Sequence, residues 1–122
     1  MIALLILTAA ATCANASTQA DMNACAAMDA HVADGRINRQ WTATYGVMKR
    51  RDASDTSRGG GPGYAPALLA AQRSWLQFRD RQCVVEGLEY SGGSMQPMVI
   101  SSCRARMTDA RTKQLAKLVE SK

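Results

Sequence analysis

Four cysteines in a 122-residue chain, the first lying just past an uncharged apolar stretch, constrain this sequence more than any other feature. Met1 to Ala11 (MIALLILTAAA) carries no charge and is too short to span a bilayer, as expected of the hydrophobic region of a secretory signal. In an oxidising compartment cysteines become cross-links, whereas a redox-active pair wants a Cys-x-x-Cys arrangement, which is absent. Two small-residue cleavage patterns compete, Ala9-Ala10-Ala11 and Ala14-Asn15-Ala16. The second would discard Cys13 and leave three cysteines; the first keeps four, and parity favours it. Residues 1–11 are therefore expected to be a signal peptide and 12–122 a single mature domain. The usual basic n-region is missing, so a start further upstream stays open. Lipidation of Cys13 needs a small residue before it, and Thr12 fits poorly. Four cysteines allow three pairings, which spacing leaves open.

The remaining residues favour helices. Aromatics are scarce (Trp41, Trp75, three Tyr and Phe78), while Ala is abundant and Met occurs seven times. Both are good helix formers, and few β-branched runs appear. The expected fold is all-α, a compact bundle of three main helices stabilised by disulfides. The first helix begins near Thr18, where Thr18-Gln19-Ala20-Asp21 resembles a capping box, and runs to about Arg50. Its apolar stripe starts with Met22, Cys25, Ala26 and Ala33 and shifts by about a quarter-turn to Ile37, Trp41, Tyr45 and Met48. Gly35 lies at the changeover, where the helix bends or its halves pack on different neighbours. Asp52 to Gly63 (DASDTSRGGGPG) has no periodicity and is expected to be a flexible loop. Its Gly59-Gly60-Gly61 run lacks the spacing and Lys of a phosphate-binding loop. A second helix spans about Pro66 to Leu88 and gathers Leu68, Gln72, Trp75, Leu76, Arg79 and Cys83 on one face. Gly92-Gly93-Ser94 forms a turn. The third helix, Pro97 to about Val119, carries Ile100, Cys103, Met107, Arg111, Leu115 and Leu118.

Arg79 and Arg111 stand inside otherwise apolar stripes, and a buried guanidinium needs partners. Asp34, Asp80, Asn38 and the carbonyls near Gly92 are the candidates, with Gln72 and Trp75 in the same polar core. The functional alternative is a groove lined by these arginines for a carboxylate or phosphate. His31, the single histidine, has no nucleophile to serve if the cysteines are oxidised. With Met22, Met28, Met95 or Met98 it could hold copper(I), but Met at helical spacing is more commonly core filling. No metal or cofactor is expected. Glu86 and Glu89 form a carboxylate pair at a helix end with no cleft, which gives a glycosidase reading no support. The net charge is +5, with a pI near 9.3. That suits an anionic glycan, lipid or acidic partner and equally suits solubility alone, while the lack of aromatics among the basic residues argues against nucleic acid.

Several stretches, in order, resemble the LprI-like lysozyme-inhibitor family of the bacterial envelope. They are Cys13 to Cys25 (CANASTQADMNAC), Ala33-Asp34 with Ile37-Asn38, and Gln72 to Cys83 (QRSWLQFRDRQC), followed by Gly92-Gly93-Ser94, Cys103 and Arg111-Thr112. The chain departs from that pattern at Trp41, usually Tyr, and in the Gly-rich loop. The resemblance keeps Cys13 in the mature protein, and the preferred pairing is Cys13–Cys25 with Cys83–Cys103. It also implies a non-enzymatic periplasmic or secreted protein with no stable membrane insertion after signal removal, whose partner is a lysozyme or a cell-wall component. The alternative is a structural or stress-related protein binding anionic cell-wall material; a copper-binding protein is third. An inhibitor must occlude a cleft, and two segments are candidates: the 52–63 loop with Asp52 and Asp55, and the Tyr90–Met95 turn with Gly92, Gly93 and Ser94. Animal lysozymes are commonly basic, so a +5 inhibitor needs a local acidic patch, for which Asp52, Asp55, Glu86 and Glu89 are the candidates.

Overall fold

The computed structural model describes residues 13–55, 57 and 61–120. The expected signal peptide and Gly59-Gly60 lie outside the described residues. A 3-10 turn at Cys13–Asn15 precedes three helices, α1 (Gln19–Ser54), α2 (Tyr64–Leu88) and α3 (Gln96–Glu120), with no strand among the described residues. The Thr18 hydroxyl accepts from the Asp21 amide at 3.1 Å and caps α1, and Asp21 sits favourably in its first turn.

Cross-connections fix the helix directions. Asn23 Nδ2 donates to Ser94 O, Arg36 makes two 3.0 Å bonds to Asp109, and Thr44 Oγ1 donates to Leu115 O. α1 and α3 therefore run parallel, and α2 returns antiparallel between their ends. The small side chains of Ala26 and Ala33 are buried on α1, whose most extensive contacts are with α3.

α1 is unbroken through Gly35. Its buried positions, Ala26, Ala33, Ile37, Thr44 and Met48, fall within about 60° of one another at 100° per residue. The quarter-turn shift seen in the sequence arises from two flanking residues. Cys25 leaves the stripe to meet Cys13, and Tyr45 leaves it on the other side to stack on Trp41, with centroids 5.0 Å apart. The apolar cluster of Ile37, Met48, Ala65, Leu68 and Leu115 is closed by Trp41, Tyr45, Trp75 and Val119.

The expected 52–63 loop is shorter at its start, because α1 continues to Ser54 and takes Asp52 into its last turn. The Asp52 carboxylate accepts from the main-chain amides of Tyr64 at 2.7 Å and Ala65 at 2.9 Å. Pro66 has no amide hydrogen, and the Ala67 amide reaches Gly63 O at 3.2 Å. The first turn of α2 is thus satisfied by a side chain from the preceding helix, since its own cap residue, Gly63, has none to offer. A Cβ at Gly63 would come within 2.7 Å of Asp52 Oδ2, so glycine is what lets the carboxylate approach.

Candidate interaction surface

Arg79 is the most deeply placed charge in the bundle, 6% exposed. Its Nε and Nη2 meet Asp80 Oδ1 at 3.0 and 2.9 Å, and its Nη1 reaches Thr108 Oγ1 at 3.2 Å and Asp34 Oδ1 at 3.4 Å. Trp75 lies under the guanidinium, 5.3 Å from ring centroid to Cζ. Asp34 and Asp80 are thus brought to Arg79, whereas Asn38 and the turn carbonyls near Gly92 make no bond to it. Thr108, 1% exposed, is a partner the sequence did not single out. Arg111 is less deeply placed than expected: it is half-buried, donating from Nε to Gln72 Oε1 at 2.9 Å and from Nη1 to Gln114 Oε1 at 3.1 Å. Partial burial lowers its pKa from the ordinary guanidinium value. Arg79 and Gln72 also floor an open groove of about 510 Å³ between α1 and α2, rimmed by Asp34, Trp41, Arg73 and Leu76.

Both disulfides, Cys13–Cys25 and Cys83–Cys103, are present, and no described cysteine is free. Cys13–Cys25 folds the N-terminal turn back onto α1. Cys83–Cys103 joins α2 to α3 and is wholly buried, with the Met107 sulfur 3.8 Å from both of its sulfurs. It lies about two helical turns from the α2–α3 connection. Gly92 in that connection has φ of +77°, the left-handed region that favours glycine. The Gly93 amide donates to Tyr90 O at 2.9 Å, and Asn23 of α1 holds Ser94 O at 3.0 Å.

Around this pinned turn exposed apolar side chains stand among the polar Glu89, Ser91 and Ser94. Val84, Val85, Leu88, Tyr90 and Met95 are all exposed, Val85 at 59% and Leu88 at 56%. Val84 and Val85 lie one turn before Leu88 on the outer side of α2, so the three form one patch leading into the turn. An exposed apolar strip of this kind makes the end of α2 and its turn the candidate interaction surface. Its helical part went unremarked in the sequence, although these positions lie off the stripe that Cys83 and Arg79 define, which was the available signal. Gly92, Gly93 and Ser94 are exposed in the turn, and Glu89 opens it.

The four acids do not form one patch. Asp52 caps α2, Asp55 accepts from the Ser57 amide at 3.0 Å, and Glu86 pairs with Arg106 at 2.7 Å. Residues 64 and 89 bracket α2, about 37 Å of helix, which separates the Asp52 end from the Glu89 end. His31 is exposed, and no group of three or more His, Cys, Asp or Glu side chains gathers for a metal ion among the described residues. No described helix is long and apolar enough to cross a membrane.

A small helical domain cross-linked twice has the construction of a protein from an extracytoplasmic compartment. The chain belongs to the LprI lysozyme-inhibitor family, whose model, described as "Lysozyme inhibitor LprI", matches residues 9–115. It is also 41% identical over 113 residues to an uncharacterized protein of Rhizobium meliloti (strain 1021), a match spanning 89% of this chain and 79% of that one. No solved structure matches the chain.

Proposed function

We propose that this protein is a non-enzymatic envelope protein, periplasmic or secreted, that inhibits a lysozyme by seating the Glu89–Met95 turn against the enzyme's cleft. The observation that carries this reading is the pairing of rigidity with exposure in one segment. Gly92, the Asn23 bond and the nearby Cys83–Cys103 cross-link hold the turn, while Leu88, Tyr90 and Met95 stay open to solvent. A loop already held in its bound shape loses little conformational entropy on docking, and tyrosine is a common binding anchor. The 52–63 segment is the weaker candidate, because Asp52 is engaged within the fold. The family match supports the partner class.

The test is a cell-wall lysis assay with lysozymes of several classes. Tyr90→Ala combined with Leu88→Ser should weaken inhibition about tenfold or more while leaving the urea midpoint nearly unchanged. Against a basic lysozyme, the +5 charge should make association faster as salt rises. Undiminished inhibition by the double variant would remove the turn from the mechanism. If the parent inhibits no lysozyme at micromolar concentration, the reading fails, and peptidoglycan pull-down becomes the next measurement.

A further inference from the structure

The end of the bundle away from the turn holds a second site of different chemistry. Where the C-terminal halves of α1 and α3 meet the start of α2, an open groove of about 560 Å³ is lined by Met48, Leu68, Ala71 and Leu118, with Arg51 and Arg111 at its margins. This lies within the roughly 300–1,000 Å³ range of small-molecule sites.

Neither arginine meets a carboxylate among the described residues. Arg51 Nη1 lies 3.4 Å from Leu118 O and 3.8 Å from Met48 Sδ, and its guanidinium sits 5.8 Å from the Tyr64 ring centroid. Arg111 bonds only to the neutral amides of Gln72 and Gln114. In both, Nη2 donates no hydrogen bond to a described residue. Arg36, Arg79, Arg104 and Arg106 have acidic partners, and Arg39, Arg50, Arg73 and Arg81, which have none among the described residues, are exposed to water, whereas Arg51 and Arg111 are half-buried against one apolar groove. The partial burial of Arg111 raises the cost of leaving its charge unmatched. What fits is an anion with an apolar body, and a carboxylate matches the planar donor fork of arginine.

We propose that this groove binds a free long-chain fatty acid, its carboxylate held by Arg51 and Arg111 and its chain lying along Leu68, Ala71 and Leu118. The site is at the opposite end of α2 from the turn and is independent of the lysozyme reading.

The experiment is displacement of a fluorescent fatty-acid probe from the purified protein by palmitate below its micellar concentration. Hexadecanol serves as the uncharged control, and anionic phospholipid vesicles as the competing lipid source. Palmitate should displace the probe, hexadecanol about tenfold less well or worse, and added salt should weaken the charged ligand selectively. Arg51→Gln and Arg111→Gln should each weaken palmitate about tenfold. Because Arg111 also holds Gln72, Ala71→Phe provides a variant outside the polar core: Ala71 is exposed, so the larger ring fills the groove without entering the interior. It should abolish palmitate binding and leave lysozyme inhibition as it was. Equal displacement by hexadecanol, unchanged binding in all three variants, or capture by vesicles without palmitate binding would each overturn the proposal.

Discussion

Replacing Asp52 by alanine tests whether one side chain of α1 holds the start of α2. The carboxylate accepts two main-chain amides, at 2.7 and 2.9 Å, where the helix dipole also favours negative charge. Loss of an ordinary capping side chain costs about 0.5–2 kcal/mol, and charge-assisted bonds lie at the strong end. Two such bonds and the dipole contribution together give about 2–3 kcal/mol for Asp52→Ala, a fall in Tm of roughly 8–12 °C for a domain of this size. Asp52→Asn, which keeps an acceptor but no charge, should lose about half as much. The decisive measurement is a double-mutant cycle with Gly63→Ala, followed by urea denaturation. In the parent, the new Cβ would stand 2.7–2.8 Å from three carboxyl atoms of Asp52 and break the cap, costing about 1–2 kcal/mol. With Asp52 already alanine the clash is gone. Gly63 has φ of −68°, which alanine adopts freely, so the same substitution should then stabilise by about 0.4–1 kcal/mol. A Gly63→Ala cost of the same size and sign in both backgrounds would refute the reasoning, as would an Asp52→Ala loss below about 0.5 kcal/mol.

Two further outcomes follow from the polar layer and the cross-links. Arg79→Ala should destabilise by about 2–4 kcal/mol by stranding Thr108 and opening space, and Arg111→Ala by only about 1–2 kcal/mol, because Arg111 is only partly buried; equal shifts in urea midpoint would show that burial does not set the difference. Replacing Cys83 and Cys103 together by serine should cost about 3 kcal/mol from loop closure across a sequence separation of 20. The parent should take up no alkylating reagent before reduction, and uptake of one equivalent would break the pairing.

The helices and both disulfide pairings were legible because periodicity, a Thr18 cap and an ordered set of family-like stretches all pointed one way. The polar interior was legible only in part. Arg79 stood out as a charge on an apolar stripe, whereas Thr44 and Thr108 are small and pass for surface residues unless periodicity is followed through them. Thr44 lies seven residues after Ile37 and four before Met48, and is 0% exposed. The role of Asp52 was hidden for another reason. In DASDTSRGGGPG it looks like the start of a loop, and only the folded contact across 12 residues shows it capping the next helix. The exposed patch was hidden because valine and leucine at a helix end carry no sign of which way they face until the buried stripe has been fixed.

Both disulfides, and the Asn23 bond to Ser94, lie in the half of the bundle that contains the turn, while the other half is joined by packing and by the non-covalent links of Asp52, Thr44, Arg51 and Arg111. The covalent fastening is therefore lopsided, as in a sheaf tied near one end. Opening by thermal motion should start at the untied end, at the last turns of α1 and α3, so amide hydrogen exchange should grade along the long axis. Reduction acts in the opposite sense, loosening the end with the projecting turn while the cluster around Leu115 keeps its contacts. In a compartment whose oxidising capacity falters, such a molecule would lose the shape of its exposed face well before its helices, so the amount of folded protein and the amount of competent protein would become separate quantities.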